Sequence, residues 1–91
     1  MPLAQLTLTL LNKVGLHARP ASKFVQTAAR FTSKITVHHG TRAGNAKSML
    51  DVLKLGAAGG TELTITAEGD DAEAALAALQ MLVAEKFGEA E

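Results

Sequence analysis

Residues 5–30 read QLTLTLLNKVGLHARPASKFVQTAAR, and the spacing of their apolar residues changes period part-way along. From Gln5 the period is two. Leu6, Leu8 and Leu10 fall on one side of an extended chain and Gln5, Thr7 and Thr9 on the other, the pattern of a half-buried strand. From Ala18 to about Arg30 the period is helical, with Ala18, Ala21, Val25 and Ala28 on one face. The NKVG stretch at 12–15 separates the two, because Asn and Gly favour turn conformations. Pro20 belongs in the first helical turn, where its missing N–H has no intrahelical partner to lose.

The rest of the chain repeats this change of period. KITVH (34–38) turns Ile35 and Val37 inward, HHGTR (38–42) reads as a turn, and a weaker strand follows around Arg42–Asn45. SMLDVLKL (48–55) predicts a short helix with Ser48 as N-cap and Asp51 near its positive end, stopped by GAAGG (56–60). ELTITAE (62–68) is a strand with Leu63, Ile65 and Ala67 inward. GDDAEAALAALQMLVAEKF (69–87) predicts a long helix capped by Asp70 or Asp71, with an apolar stripe of Leu76, Leu79, Leu82 or Val83, and Phe87. The order is β-α-β-β-α-β-α. Each strand has one apolar and one polar face, which predicts a four-stranded antiparallel sheet covered on one side only. The three helices must lie on that side, giving an α+β open-faced β-sandwich. Ninety-one residues suit one domain spanning 1–91.

Composition narrows the function. The chain has no cysteine, which excludes a disulfide framework, Cys-ligated zinc and thiol catalysis, and fits a reducing cytoplasm. The start of the chain lacks basic residues and reads as a strand rather than a signal peptide, and no apolar run approaches the ~18 residues of a membrane span. The expectation is a soluble, cytoplasmic protein without membrane insertion. Net charge is zero but lopsided: residues 1–60 hold eight of the nine basic side chains and one of the nine acidic ones. Two arrangements meet that pattern, a basic face shown to an acidic partner or mutual attraction of the halves within the fold. His38 and His39 are adjacent on a strand and point to opposite faces, so no metal site is assigned, and no cofactor is implied.

The chemistry concentrates at His17, on the strand-to-helix junction, where a side chain should be exposed. The first turn of a helix presents unpaired N–H groups and a partial positive charge, and a phosphate can occupy such a place. Arg19, two residues on, offers a planar donor fork to phosphate oxygens, and the small Ala18 between them leaves room for a partner's surface. These residues predict covalent catalysis at a ring nitrogen, with His17 accepting and passing on a phosphoryl group. The bland alternative is a capping histidine beside a solvated arginine.

NKVGLHARPASKFVQTAARF (12–31) followed by NAKSMLDVLKLGAAGGTELTITAEG (45–69) resembles the HPr family, the histidine-containing phosphocarriers of the bacterial phosphotransferase system. The likeness spans nearly the whole chain, and the spacing of the GLHARPA and NAKS blocks is specific. The resemblance implies that His17 is phosphorylated by enzyme I at the expense of phosphoenolpyruvate, on the ring nitrogen facing the helix. It implies that Arg19 supports the phosphate, and that the phosphoryl group moves on to IIA domains of sugar permeases. Such a protein is a relay rather than a stand-alone enzyme. Ser48 matches the family's regulatory serine, which adds HPr kinase/phosphorylase and a catabolite-control transcription factor as further partners. One departure is visible: Val14 stands where many members place a polar residue that steadies the imidazole.

Met49, Leu50 and Leu53 are read as a partly exposed apolar patch that docks on partners, with plain core packing as the alternative. Lys23, Lys47 and Lys54 form the basic part of that face, and a monomer is expected because the face must stay free. The nearest rival is the nitrogen-related phosphocarrier, against which the NAKSML block argues. A more distant rival is an effector- or RNA-binding module of ferredoxin-like order. Nucleic acid is not expected, since such modules stack bases on sheet aromatics and Phe24, Phe31 and Phe87 all lie outside the strand patterns.

Overall fold

The structure is a computed structural model and describes residues 3–12 and 15–88. Its elements are β1 (Leu3–Thr9), α1 (Ala18–Ala29), β2 (Lys34–His39), β3 (Arg42–Asn45), α2 (Met49–Lys54), β4 (Glu62–Glu68) and α3 (Ala72–Ala84), followed by a 3-10 turn at Lys86–Gly88. The strands form one antiparallel sheet in the order β1-β4-β2-β3. The open-faced sandwich expected from the sequence is the observed fold.

Strand register explains the one-sided burial. Ala67 of β4 pairs with Ala4 and Ile35, and Ile65 pairs with Leu6 and Val37, so apolar side chains line up in rows across three strands. The alternate rows are polar: Thr66 lies between Gln5 and Thr36, and Thr64 between Thr7 and His38. Helices cover the first set, and Ile35, Val37, Leu63, Ile65 and Ala67 are buried. β1 is an edge strand, so its Leu6 and Leu8 are only half-buried, whereas Leu10 just beyond it is buried.

Three local readings change in the structure. The inner face of α1 is Pro20, Ala21, Phe24 and Ala28. Ala18 is exposed and Val25 half-buried, because the bulky Phe24 ring draws the helix onto the sheet. Burying such a ring contributes about 1.5–3 kcal/mol. The second change is at the end of α3, which stops at Ala84. Phe87 still reaches the core because Lys86 (φ 54) and Phe87 (φ 58) adopt left-handed backbone. That strain is offset by burial of the ring and by the Lys23 ammonium, which donates to the Phe87 carbonyl.

Asp71 is the third. It occupies the N-cap position of α3 but makes no capping bond with its side chain. Instead one carboxylate oxygen accepts the Thr32 amide at 2.8 Å, and the other accepts the Ser33 amide at 2.9 Å and the Ser33 hydroxyl. The carboxylate thus ties the turn after α1 to the start of α3 and satisfies a serine that is itself buried. These donors, the Ser33 hydroxyl foremost, hold the Asp71 carboxyl at about 2, below its usual 3.8.

A depressed folded-state value stabilises the protein above the unfolded value, and the contribution is lost as pH falls from 3.8 toward about 2. Asp71→Asn should therefore unfold at lower urea than the wild type at pH 7. The gap should close as both proteins are titrated through that acid window, as followed by urea midpoints at a series of pH values.

Candidate phosphoryl-carrying site

The segment after β1 is seated on the loop after α2. Leu10 donates to the Thr61 carbonyl at 2.9 Å and accepts from the Gly60 amide at 2.8 Å, while Leu16 donates to the Ala57 carbonyl at 2.9 Å. Gly15 lies at φ +63, and a Cβ there would sit 2.2 Å from the Ala57 oxygen and 2.5 Å from the Ala58 carbonyl carbon. Only glycine allows both that backbone angle and that approach. Asn12, buried beneath the loop, donates its side-chain amide to the Gly15 carbonyl at 2.8 Å. Lys13 and Val14 lie outside the described residues, and with them the departure noted at Val14.

His17 follows as the N-cap residue of α1, extended at φ −92 and ψ −168, with an exposed side chain that makes no capping bond. The first helical bond runs from the Ala21 amide to the His17 carbonyl at 2.8 Å. The first turn of α1 contains no acidic residue, whereas those of α2 and α3 contain Asp51 and Glu73. Exposed Ala18 and Arg19 complete that turn before buried Pro20. The positive end of α1 thus carries no acidic side chain in its own first turn, beside an exposed imidazole.

The structure brings part of the second motif to the same place. His17 and Leu53 line one shallow depression with Leu16, Gly56, Ala57 and Ala58. On α2, Leu50 is 62 % exposed and Leu53 40 %, while Met49 is half-buried and packs on the core. Ser48 caps this helix as the sequence predicts, its hydroxyl accepting the Asp51 amide at 3.2 Å. The Asp51 carboxylate reaches back to the Asn45 amide at 3.0 Å, tying α2 to β3.

The basic residues are used more locally than their place in the sequence implies. Lys47 donates to the Phe31 carbonyl at 2.6 Å, Lys23 to that of Phe87, and Arg42 to that of Lys54 at 3.2 Å. Each cation lies at or just past the end of a helix, where the backbone carries partial negative charge. Lys54 is exposed. His39 places Nδ1 2.7 Å from the Leu55 carbonyl at the end of α2, and His38 lies on the polar sheet face opposite Thr64.

Comparison with known proteins bears on what such a site does. Residues 4–85 match the family described as the PTS HPr component phosphorylation site. The chain belongs to the HPr family. It is 46 % identical to the phosphocarrier protein HPr of Treponema pallidum (strain Nichols), over 91 % of this chain and 94 % of that protein. Among solved structures, HPr-C-His from Thermoanaerobacter tengcongensis superposes with a TM-score of 0.94 at 45 % identity, covering 97 % of this chain and 99 % of that one. HPr from Bacillus anthracis str. Ames gives 0.86 at 42 % identity, covering 89 % and 96 %. HPr proteins carry phosphoryl groups in a phosphotransferase relay and are not stand-alone catalysts.

Sequence reasoning missed Asn12 and the Gly56–Ala58 segment, reading the first as a turn former and the second as a helix stop. The small residues of GAAGG were the available signal, since they permit the close approach of Gly15. Gly15→Ala should lower stability by ~2 kcal/mol or more through left-handed strain and backbone collision, measured as a shift in the urea midpoint.

Proposed function

We propose that His17 is the phosphoryl acceptor of this carrier and that the chain works as one HPr-like domain over residues 1–91. The observation that carries this reading is the exposed His17 imidazole at an α1 N-terminus with neither a side-chain cap nor an acidic first turn. A lone pair on the ring attacks phosphorus, the N–P bond forms, and the bond from phosphorus to the donor breaks. Onward transfer reverses these events at an acceptor. Helix amides and the Arg19 guanidinium stabilise the charge on the phosphoryl oxygens throughout.

The donor is enzyme I, charged by phosphoenolpyruvate, and the acceptors are IIA domains of sugar permeases in the cytoplasm. No helix of the described residues is long and apolar enough to cross a membrane. Leu50 and Leu53, exposed beside the His17 depression, supply the apolar centre of the docking face, with Met49 at its edge and Ala18 beside the ring. Lys54 adds positive charge, and Lys23 and Lys47 contribute while held by their carbonyl partners. The working unit is a monomer. The NAKSML block supports the sugar branch over the nitrogen branch, and the outer face of the described sheet carries no aromatic platform for RNA.

Ser48 is the regulatory position, addressed by an HPr kinase/phosphorylase and read by a catabolite-control transcription factor. Phosphate on the capping hydroxyl places roughly two negative charges beside Leu50 and Met49, which opposes docking on an acidic partner while favouring the positive end of α2.

Incubation with enzyme I and phosphoenolpyruvate should yield an acid-labile phosphoryl adduct that His17→Ala abolishes, and labelling that survives this substitution would overturn the assignment. Ser48→Asp should slow uptake by raising KM for the carrier without unfolding it. Equal uptake rates for Ser48→Asp and wild type would remove the regulatory reading.

A further inference from the structure

Asn12 has no part in the transfer just described, yet it is 1 % exposed in the loop that leads to His17. Its side-chain N–H donates to the Gly15 carbonyl at 2.8 Å. The Leu16 N–H belongs to the same peptide unit, and it donates to the Ala57 carbonyl at 2.9 Å. One peptide plane is thus held at both ends, immediately before the residue that carries the imidazole. Gly15, at φ +63, is the residue best able to let that plane rotate. Rotation would break both bonds together.

The other half of the carboxamide gives an independent reason to look for a role beyond packing. Among the described residues, Asn12 Oδ1 is buried and has no hydrogen-bond partner. A desolvated, unpaired acceptor opposes stability, so this side chain is a poor choice for filling the space alone. What it uniquely supplies is the donor to Gly15.

We propose that Asn12 is a positioning residue for phosphoryl transfer at His17, acting through the Gly15–Leu16 peptide; the inference rests on His17 being the phosphoryl acceptor. With the plane clamped, the start of α1 and the His17 ring keep one placement relative to the 56–58 loop. Without the clamp the ring samples more orientations, and fewer of them are aligned for attack on phosphorus. Docking changes little, because its apolar centre, Leu50 and Leu53, stands on α2 apart from that peptide. The effect therefore belongs in kcat.

The test measures phosphoryl uptake from enzyme I and phosphoenolpyruvate while the carrier concentration is varied, for wild type, Asn12→Ala, the isosteric Asn12→Asp, and Asp71→Asn. Both Asn12 variants should lose roughly tenfold in kcat with KM within about twofold of wild type. Their Leu16 amide should exchange faster with deuterium. Asp71→Asn, destabilised at a remote turn, should keep the wild-type kcat under conditions where every variant is folded by circular dichroism. Unchanged kcat in the Asn12 variants would overturn the inference, as would an equal loss in Asp71→Asn. If the wild type takes up phosphate, His17→Ala does not, and the Asn12 variants match wild type, this inference alone falls. A wild type that takes up none removes the assignment of His17 and this inference with it.

Discussion

The sheet of this protein has only one face to bury, and the rest of the molecule follows from how that face is covered. Rows such as Leu6–Ile65–Val37 and Ala4–Ala67–Ile35 lose their apolar area to water unless three helices lie over them. Helices confined to one side must start and stop at the sheet's ends. α1 therefore begins beyond β1 with its positive end exposed, and α2 is carried from β3 to β4 across β2, close beside it. The site is a consequence of this edge geometry, since the junction between sheet and helix layer is where a helix terminus meets solvent.

At that junction backbone contacts do most of the positioning. The His17 segment is held by hydrogen bonds from Leu16 to Ala57 and between Leu10 and the 60–61 strand approach, and by a glycine that admits neighbouring backbone where a side chain would collide. The loop it rests on is the direct continuation of α2. The helix capped by Ser48 and the histidine at α1 are consequently parts of one surface, and His17 and Leu53 share a single depression. The role proposed for His17 calls for this arrangement, with a reactive nitrogen open to partners in turn and a recognition surface beside it.

The basic half of the chain is reinterpreted by the same logic. Lys23, Lys47 and Arg42 point at backbone carbonyls near helix ends rather than at the carboxylates concentrated in the last third of the sequence. Positive charge there complements helix termini locally. Asp71 does the reverse at the far end, collecting the amides and hydroxyls of Thr32 and Ser33 so that the turn leaving α1 and the start of α3 move as one unit.

Element order, the inward residues of β2 and β4, the Ser48 cap and the candidacy of His17 were legible in the sequence, because each depends on side-chain period or on residues a few positions apart. The strand order was not. β4 lies between β1 and β2, and β2 lies between β4 and β3, so the β1-α1-β2 connection passes over a strand distant in sequence, and no local spacing records that. For the same reason local spacing marks Asp70 or Asp71 as the cap of α3 but not that the Asp71 carboxylate binds Thr32 and Ser33, and it marks Asn12 as a turn former but not that its amide holds the Gly15 carbonyl beside the 56–58 loop. Period along the chain decides which face of each element is apolar; only the packed fold decides which distant backbone groups that face brings within hydrogen-bonding reach, because such bonds form where elements meet, irrespective of separation in sequence.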